Sequence, residues 1–169
     1  MPSPRPASKA KVYSGRIDGG ARGNPGPAGI GVLLEDDAGG RDEFYGYLGS
    51  ATNNVAEYTA LLVLLHHSIG RGASRLTIYS DSELLVKQMR GEYRVKNPRL
   101  QQLHAAAKRL MSKIPQVTLQ HVRREENREA DRLANQAMDE KQSSEPLPEE
   151  VAALLGAGAQ ESLTFGEGP

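Results

Sequence analysis

The chain lacks cysteine and tryptophan and has only two phenylalanines among its 169 residues. Without cysteine, neither a disulfide framework nor a thiolate zinc site is available. No apolar run approaches the ~20 residues that a membrane helix needs. The N-terminal stretch MPSPRPASKAK contains no apolar segment of the kind found in a secretory signal. We therefore expect a cytoplasmic protein with no membrane partner.

Charge is unevenly distributed along the chain, although 21 basic and 21 acidic residues balance overall. Residues 1–140 carry 20 basic against 16 acidic residues, whereas 141–169 carry one lysine against five glutamates. A cluster of cations between residues 85 and 113 would suit a phosphate backbone. It consists of Lys87, Arg90, Arg94, Lys96, Arg99, Lys108, Arg109 and Lys113. An ordinary solvated helical surface explains the same pattern, so charge alone leaves both interpretations open.

Hydrophobic periodicity and turn signals predict an α/β protein. Strands are predicted over 12–18, 30–36, 42–49, 75–81 and 117–122, and helices over 54–69, 82–90, 98–111 and 126–142. The short early connections indicate an antiparallel meander of three strands, and the later order of elements indicates parallel βαβ crossovers. We therefore expect a five-stranded mixed sheet flanked by helices.

Three segments follow from the changes in composition. Residues 1–11 are expected to be a flexible arm, 12–142 the folded domain, and 143–169 an acidic tail rich in Pro, Gly and Glu. The composition of 143–169 is typical of a disordered segment. The alternative is that Leu154, Leu155 or the apolar residues in 163–165 dock on the body of the protein.

Four acidic residues stand at the ends of predicted elements. Asp18 closes the first strand and Asp81 the fourth, Glu57 lies in the first turn of a helix, and Asp131 lies in the last helix. Each has an ordinary explanation by itself. Asp81 could cap a helix, Asn54 and Glu57 have the spacing of a capping box, Asp18 could begin a turn, and Asp131 could be solvated.

Taken together, the four acids favour a metal site. Carboxylates in a cluster repel and raise one another's pKa unless a cation intervenes. Oxygen ligands without cysteine or a paired-histidine motif favour Mg²⁺ or Mn²⁺. Two such ions ~4 Å apart can activate water and stabilise the leaving oxygen in phosphodiester cleavage.

Four blocks of the sequence resemble the ribonuclease HI family in its short form. They are IDGGARGNPGPAGIGVLL, ATNNVAEYTALLVLL, TIYSDSELLVKQMRGEYRVKNPRL and HVRREENREADRLAN, and the resemblance covers about residues 12–138. It implies a ribonuclease H-like fold and cleavage of the RNA strand of RNA/DNA hybrids, with 5′-phosphate and 3′-hydroxyl products. It also implies two Mg²⁺ ions per site, with Mn²⁺ as a substitute. The implied partner is the RNA/DNA hybrid. Whether double-stranded RNA is a second substrate stays open, and the protein is expected to be a monomer.

The resemblance also implies roles for individual residues. Asp18 would bridge the two metals, Asp81 would bind the metal that carries the attacking water, and Glu57 and Asp131 would hold the second metal. Glu57 would also lie near a 2′-hydroxyl, which distinguishes RNA from DNA. Predicted substrate contacts are Gly19 and Gly20 through the backbone, Asn24, Asn53 and Asn54 in the minor groove, Thr52 and Asn97 at a phosphate, and the cation Lys96. Turn and cap roles explain the same polar residues.

The sequence departs from the best-known bacterial form of the family. The loop before Asp131 is shorter and lacks that form's histidine, and His121 falls inside a predicted strand, which indicates a structural role. Arg123 or Arg124 is therefore the predicted substitute for the loop histidine. The basic, tryptophan-containing protrusion is also absent. The alternative function is a catalytically silent hybrid-binding module, which would be expected to lack one or more of the four acids.

Overall fold

The computed structural model describes residues 10–156, which form a five-stranded sheet with strand order β3-β2-β1-β4-β5. The strands are β1 (Val12–Ala21), β2 (Gly26–Asp36), β3 (Arg41–Ala51), β4 (Arg75–Ser80) and β5 (Gln116–His121). The helices are α1 (Asn53–Gly70), α2 (Glu83–Met89), α3 (Pro98–Met111) and α4 (Arg128–Glu140), with a single 3-10 turn at Arg124–Glu126. A further helical segment occupies residues 149–156.

The pairing of the strands confirms the predicted mixed sheet. β1 pairs antiparallel with β2, and β2 antiparallel with β3. β4 pairs parallel with both β1 and β5. β2 begins earlier than predicted, because Gly26 pairs with Ala51 and Ala28 pairs with Ala21 despite the intervening Pro27. The Pro27 carbonyl accepts a hydrogen bond from Arg22 N at 2.8 Å, which extends the hairpin beyond the last paired residues.

Helices cover both faces of the sheet. A Cβ at Gly19 of β1 would collide with the α1 backbone at Ala56, and a Cβ at Gly31 of β2 would collide with the α4 backbone at Ala130. Gly31 pairs with Asp18, the neighbour of Gly19, so the two glycines face opposite sides of the sheet. Glycine at these positions lets each helix lie directly on the sheet.

The core lies mainly between the sheet and α1. This helix is apolar on most sides, with eleven buried residues, and it also packs against α3. A helix that is apolar all round is expected where sheet and helices enclose it. None of the helices in residues 10–156 is long and apolar enough to cross a membrane.

The residues after α4 lie against β3 and α3. The Ser143 and Ser144 hydroxyls accept hydrogen bonds from Tyr47 N and Tyr45 N, at 2.9 and 3.1 Å. Val151 is buried, and the Arg99 guanidinium donates to the Leu154 carbonyl at 2.8 Å. Leu154 and Leu155 are partly buried against the core, and Arg109 forms an ion pair with Glu150. The apolar residues proposed within 163–165, like most of the arm 1–11, fall outside the described residues.

Candidate active site

Two acids meet where the parallel ladder between β1 and β4 ends. The last pair in their ladder is Ile17 with Ser80, so Asp18 and Asp81 each follow the final pair by one residue. Parallel strands bring their carboxyl ends to the same edge of a sheet. This adjacency was expected from the sequence, because each acid closes a predicted strand.

Helices α1 and α4 bring the other two acids to this edge. Oxygen atoms from Asp18, Glu57 and Asp81 all lie within 4.8 Å of one another. Glu57 reaches them because α1 packs onto β1 at Gly19 without an intervening side chain. Asp131 of α4 lies close enough to Asp18 to raise the pKa of that carboxyl. All four acids identified in the sequence are therefore neighbours.

The capping roles considered for two of these acids are wrong. Helix α2 is capped by Ser82, whose hydroxyl accepts from Leu85 N at 3.2 Å, so Asp81 is not the cap. Helix α1 begins one residue earlier than predicted and is capped by Thr52, whose hydroxyl accepts from Val55 N. No capping box joins Asn54 to Glu57, because Asn54 lies inside the helix.

The electrostatics of the cluster disfavour ionisation. Burial, and then the charge of Asp81, raise the pKa of Asp18 to about 8. Burial also raises the pKa of Glu57 well above its usual range, and the charge of Asp18 adds to the effect. Burial raises the pKa of Asp81 as well, and the positive charge of Arg124 opposes the rise. The protein alone therefore leaves excess negative charge at this edge only partly compensated.

The donor atoms fit a cation. Glu57 Oε2 is buried and has no hydrogen-bond partner among residues 10–156. A buried carboxylate oxygen without a partner is costly, whereas coordination by a hard metal ion would satisfy it. Together with the adjacent carboxylates of Asp18 and Asp81, it supplies oxygen ligands of the type that divalent cations prefer.

The predicted substrate-contact residues fall into two groups. Near the end of β1, Asn24 Oδ1 accepts from Asn53 N at 3.0 Å, and Asn53 Oδ1 accepts from Ala21 N at 2.8 Å. Gly20 lies next to the Asn53 side chain, and Asn54 is exposed in the first turn of α1. These bonds tie the β1–β2 turn to the start of α1, beside the acids.

The second group lies at the start of α3. Asn97 is the N-cap of this helix, and its Oδ1 accepts from Leu100 N at 3.1 Å. Lys96 precedes it and is exposed. Thr52 and Asn97 thus both have the capping roles that the sequence allowed as alternatives. Arg124, rather than Arg123, is the arginine whose charge acts on Glu57 and Asp81.

The sequence analysis missed Asn127 as a neighbour of the acids and assigned His121 only a structural role. Asn127 is fully buried and donates from Nδ2 to the Ile17 carbonyl at 2.8 Å, while its Oδ1 has no hydrogen-bond partner among residues 10–156. His121, interpreted as structural, is the exposed last residue of β5, and its charge acts on Asp81. The position of His121 could have been predicted, because its strand, β5, runs parallel to β4 and must end at the same edge of the sheet. Asn127 gave no such signal, since it falls inside the predicted helix 126–142.

Comparison with known proteins agrees with this site and fold. The model of the reverse transcriptase-like family matches residues 16–137. The bifunctional protein Rv2228c of Mycobacterium tuberculosis is 44% identical over 124 residues, which cover 72% of this chain and 34% of that protein. The ribonuclease HI of Halobacterium salinarum is 39% identical over 125 residues, covering 73% of this chain and 63% of that protein. The chain thus spans about a third of the mycobacterial relative.

Solved structures are similar over most of their length. The crystal structure of RNase H1 from Halobacterium salinarum is 36% identical with a TM-score of 0.73, covering 76% of this chain and 98% of that one. LC11-RNase H1, solved in complex with an RNA/DNA hybrid, is 41% identical with a TM-score of 0.72, again covering 76% and 98%. These matches confirm the family resemblance seen in the sequence. The chain belongs to the reverse transcriptase-like family and, within it, to the ribonuclease H1 proteins.

Proposed function

We propose that this protein is an endoribonuclease that hydrolyses the RNA strand of RNA/DNA hybrids in a metal-dependent reaction, leaving 5′-phosphate and 3′-hydroxyl ends. The observation that carries the proposal is the convergence of three carboxylates within 4.8 Å at one edge of the sheet, with a fourth, Asp131, close enough to raise the pKa of Asp18. Membership of the ribonuclease H1 family and the likeness to LC11-RNase H1, solved with a hybrid, support the same substrate.

Asp18, Glu57, Asp81 and Asp131 would hold the metal, for which Mg²⁺ is the proposed ion and Mn²⁺ a substitute. The raised pKa values of Asp18, Glu57 and Asp81 support this assignment, since bound cations stabilise the ionised carboxylates. When bound, the ions would supply an activated water and positive charge at the scissile phosphate. The carboxylates themselves would bind the ions, orient them and exclude other ligands.

Arg124 is proposed to take the place of the family's loop histidine. Its guanidinium lowers the pKa of both Glu57 and Asp81, so its charge acts on the acids directly. It lies in the 3-10 turn Arg124–Glu126, which joins β5 to α4 in place of a longer loop. A guanidinium there would stabilise negative charge that develops on the phosphate. Arg123 is the matched neighbour for testing this role.

The proposed nucleic-acid contacts exclude four of the cations in 85–113, because these have partners within the protein. Arg90 donates to the Leu119 carbonyl, and Arg99 donates to carbonyls of residues 154 and 155. Lys87 pairs with Glu83, and Arg109 pairs with Glu150. Arg94 and Lys96 are exposed in the connection between α2 and α3. We propose that these two, with the polar residues at the β1–β2 turn and at the start of α3, contact the hybrid.

The test is cleavage of an end-labelled hybrid in the presence of Mg²⁺, Mn²⁺ or EDTA, with single-stranded RNA, double-stranded RNA and duplex DNA as parallel substrates. Metal-dependent cutting of the hybrid's RNA strand is expected. The double-stranded RNA arm decides whether that substrate is also cut. Binding of the hybrid without cleavage in either metal would contradict the proposal and favour the silent binding module.

A variant pair sharpens the assignment of the acids. Asp81→Asn should lower the cleavage rate by about 1000-fold, which corresponds to ~4 kcal/mol of lost transition-state stabilisation. Asp37→Asn is the control, because Asp37 is exposed in the turn between β2 and β3. Normal cleavage by Asp81→Asn would remove that residue from the metal site.

A further inference from the structure

Arg16 joins the first strand to the connection between β5 and α4. It lies two residues before Asp18 on β1, so the two side chains project from the same face of the sheet. Arg16 Nη1 donates a hydrogen bond to the Glu126 carbonyl at 2.8 Å. Glu126 is the last residue of the 3-10 turn that contains Arg124. A guanidinium from β1 therefore holds a carbonyl of this turn from 110 residues away in the sequence.

Tyr79 of β4 orients the Arg16 guanidinium. The two residues are partners in the parallel ladder, and Tyr79 lies two residues before Asp81. The guanidinium carbon of Arg16 is 4.7 Å from the centroid of the Tyr79 ring. A planar guanidinium is attracted to the face of an aromatic ring, which restricts its orientation. The pair thus lies on the same two strands as Asp18 and Asp81, two residues before each acid.

The connection of residues 122–127 crosses the ends of β4 and β1. At its start, Val122 N donates to the Ser80 carbonyl at 2.9 Å. At its end, Asn127 Nδ2 donates to the Ile17 carbonyl at 2.8 Å. Between these two points, the bond from the guanidinium restrains the turn itself. Because a single 3-10 turn is too short to determine its own position, contacts with the strands set its path.

We propose that Arg16, oriented by Tyr79, is a positioning residue that holds the β5–α4 connection across the strand ends and so places Arg124 beside the acids. The inference deepens the proposed function and rests on it. A displacement of about 1 Å in an active site can lower the rate as much as 100-fold, so losing a contact that holds the turn should lower kcat. An arginine that contributed only surface charge would have no such effect.

The variant Arg16→Met removes the hydrogen-bond donor and keeps an unbranched apolar stem over the Tyr79 ring. On a hybrid substrate it should lower kcat by about tenfold and leave KM within about twofold of the wild type. The effect should fall on kcat because the guanidinium is already bonded within the protein. Arg16→Lys keeps a charged donor and should recover most of the lost kcat.

Arg75→Met is the matched control. Arg75 lies at the opposite end of β4 from the acids, on the same face of the sheet as Tyr79, and its Nε donates to Gln116 Oε1 at 2.8 Å. This variant also removes one positive charge and one hydrogen bond, but it should keep the kcat of the wild type. Equal kcat values for Arg16→Met and Arg75→Met would overturn the inference. A wild-type protein that does not cleave the hybrid would overturn the proposed function as well, so the two failures are distinguishable.

A double-mutant cycle tests whether Arg16 acts through Arg124. If it does, adding Arg16→Met to Arg124→Ala should lower kcat little further than Arg124→Ala alone. Independent, multiplicative losses would show that Arg16 does not act by placing Arg124, and the inference would fail.

Hydrogen exchange in the metal-free protein tests the restraint without any activity. The Asn127 amide donates to the Arg124 carbonyl at 3.0 Å, so its exchange reports opening of the turn. Arg16→Met should raise this exchange rate roughly fivefold, whereas Arg75→Met should leave it unchanged. An exchange rate in Arg16→Met equal to that of the wild type would show that the guanidinium does not hold the turn, and would overturn the inference.

Discussion

Replacing Asp18 with asparagine should stabilise the metal-free protein while it removes cleavage. Burial and the neighbouring Asp81 and Asp131 raise the pKa of Asp18 from the ordinary 3.8 to about 8. A carboxyl with a raised pKa in the folded state is ionised more readily in the unfolded state. Asparagine has the same shape, carries no charge, and can donate a hydrogen bond to Asp131.

The magnitude follows from the difference between the two pKa values. Below pH 3.8 the carboxyl is protonated in both states and costs nothing. As the pH rises from there toward 8, ionisation of the unfolded chain lowers the free energy of unfolding by ~1.4 kcal/mol per pH unit. At pH 7 the upper bound is ~4 kcal/mol. We expect about half of this for Asp18→Asn, which corresponds to a rise in Tm of roughly 4–8 °C.

The assay is thermal unfolding in EDTA at several pH values between 4 and 8, at constant ionic strength. The gain in Tm for Asp18→Asn over wild type should be smallest at pH 4 and grow toward pH 8. Adding Mg²⁺ should raise the Tm of the wild type more than that of the variant. A variant that is less stable than wild type at pH 8, or a difference in Tm that does not change with pH, would refute the reasoning. Asp37→Asn serves as the control for the loss of an exposed acid.

Three further predictions concern packing, charge and the C-terminal segment. Gly31→Ala should lower the free energy of unfolding by at least ~2 kcal/mol in a denaturant titration, because the new Cβ would collide with the Ala130 carbonyl. A variant as stable as the wild type would show that α4 can move. Arg124→Ala should lower kcat on a hybrid by about tenfold or more, whereas Arg123→Ala should not; equal effects would argue for general charge rather than position. Deleting 145–169 should lower Tm by several degrees and leave cleavage intact, because it exposes the part of the core that Val151 covers. An unchanged Tm would contradict the packing of this segment.

The acids at the sheet edge could be found from the sequence because their signals are local. Asp18 and Asp81 each close an apolar run, and the order of elements makes the two strands parallel. The proximity of these two acids therefore follows from the topology of the sheet alone. Glu57 and Asp131 follow less directly, since helical periodicity assigns them to helices but does not indicate which side of a helix faces the strand ends.

Boundaries and caps were less predictable because they depend on contacts with distant parts of the chain. Thr52, Asn53 and Asn54 could each cap the helix. The hydrogen bond between Asn24 and Asn53 joins residues that are 29 positions apart in sequence. β2 extends back through a Gly/Pro-rich stretch because β3 supplies partners for it, starting with Gly26 and Ala51. Propensity alone predicts a loop there.

The sequence by itself determined the class of fold, the order of strands and helices, and the four acids proposed as metal ligands, because periodicity and the ends of strands depend on neighbouring residues. Tertiary structure decided how those acids interact. The bond from Asn127 to Ile17 spans 110 residues, and Glu57 reaches Asp18 only where α1 lies against a glycine. Burial of a side chain and the approach of another charge depend on the packing of distant segments, so the raised pKa of Asp18 and the burial of Asn127 emerge only in the folded protein.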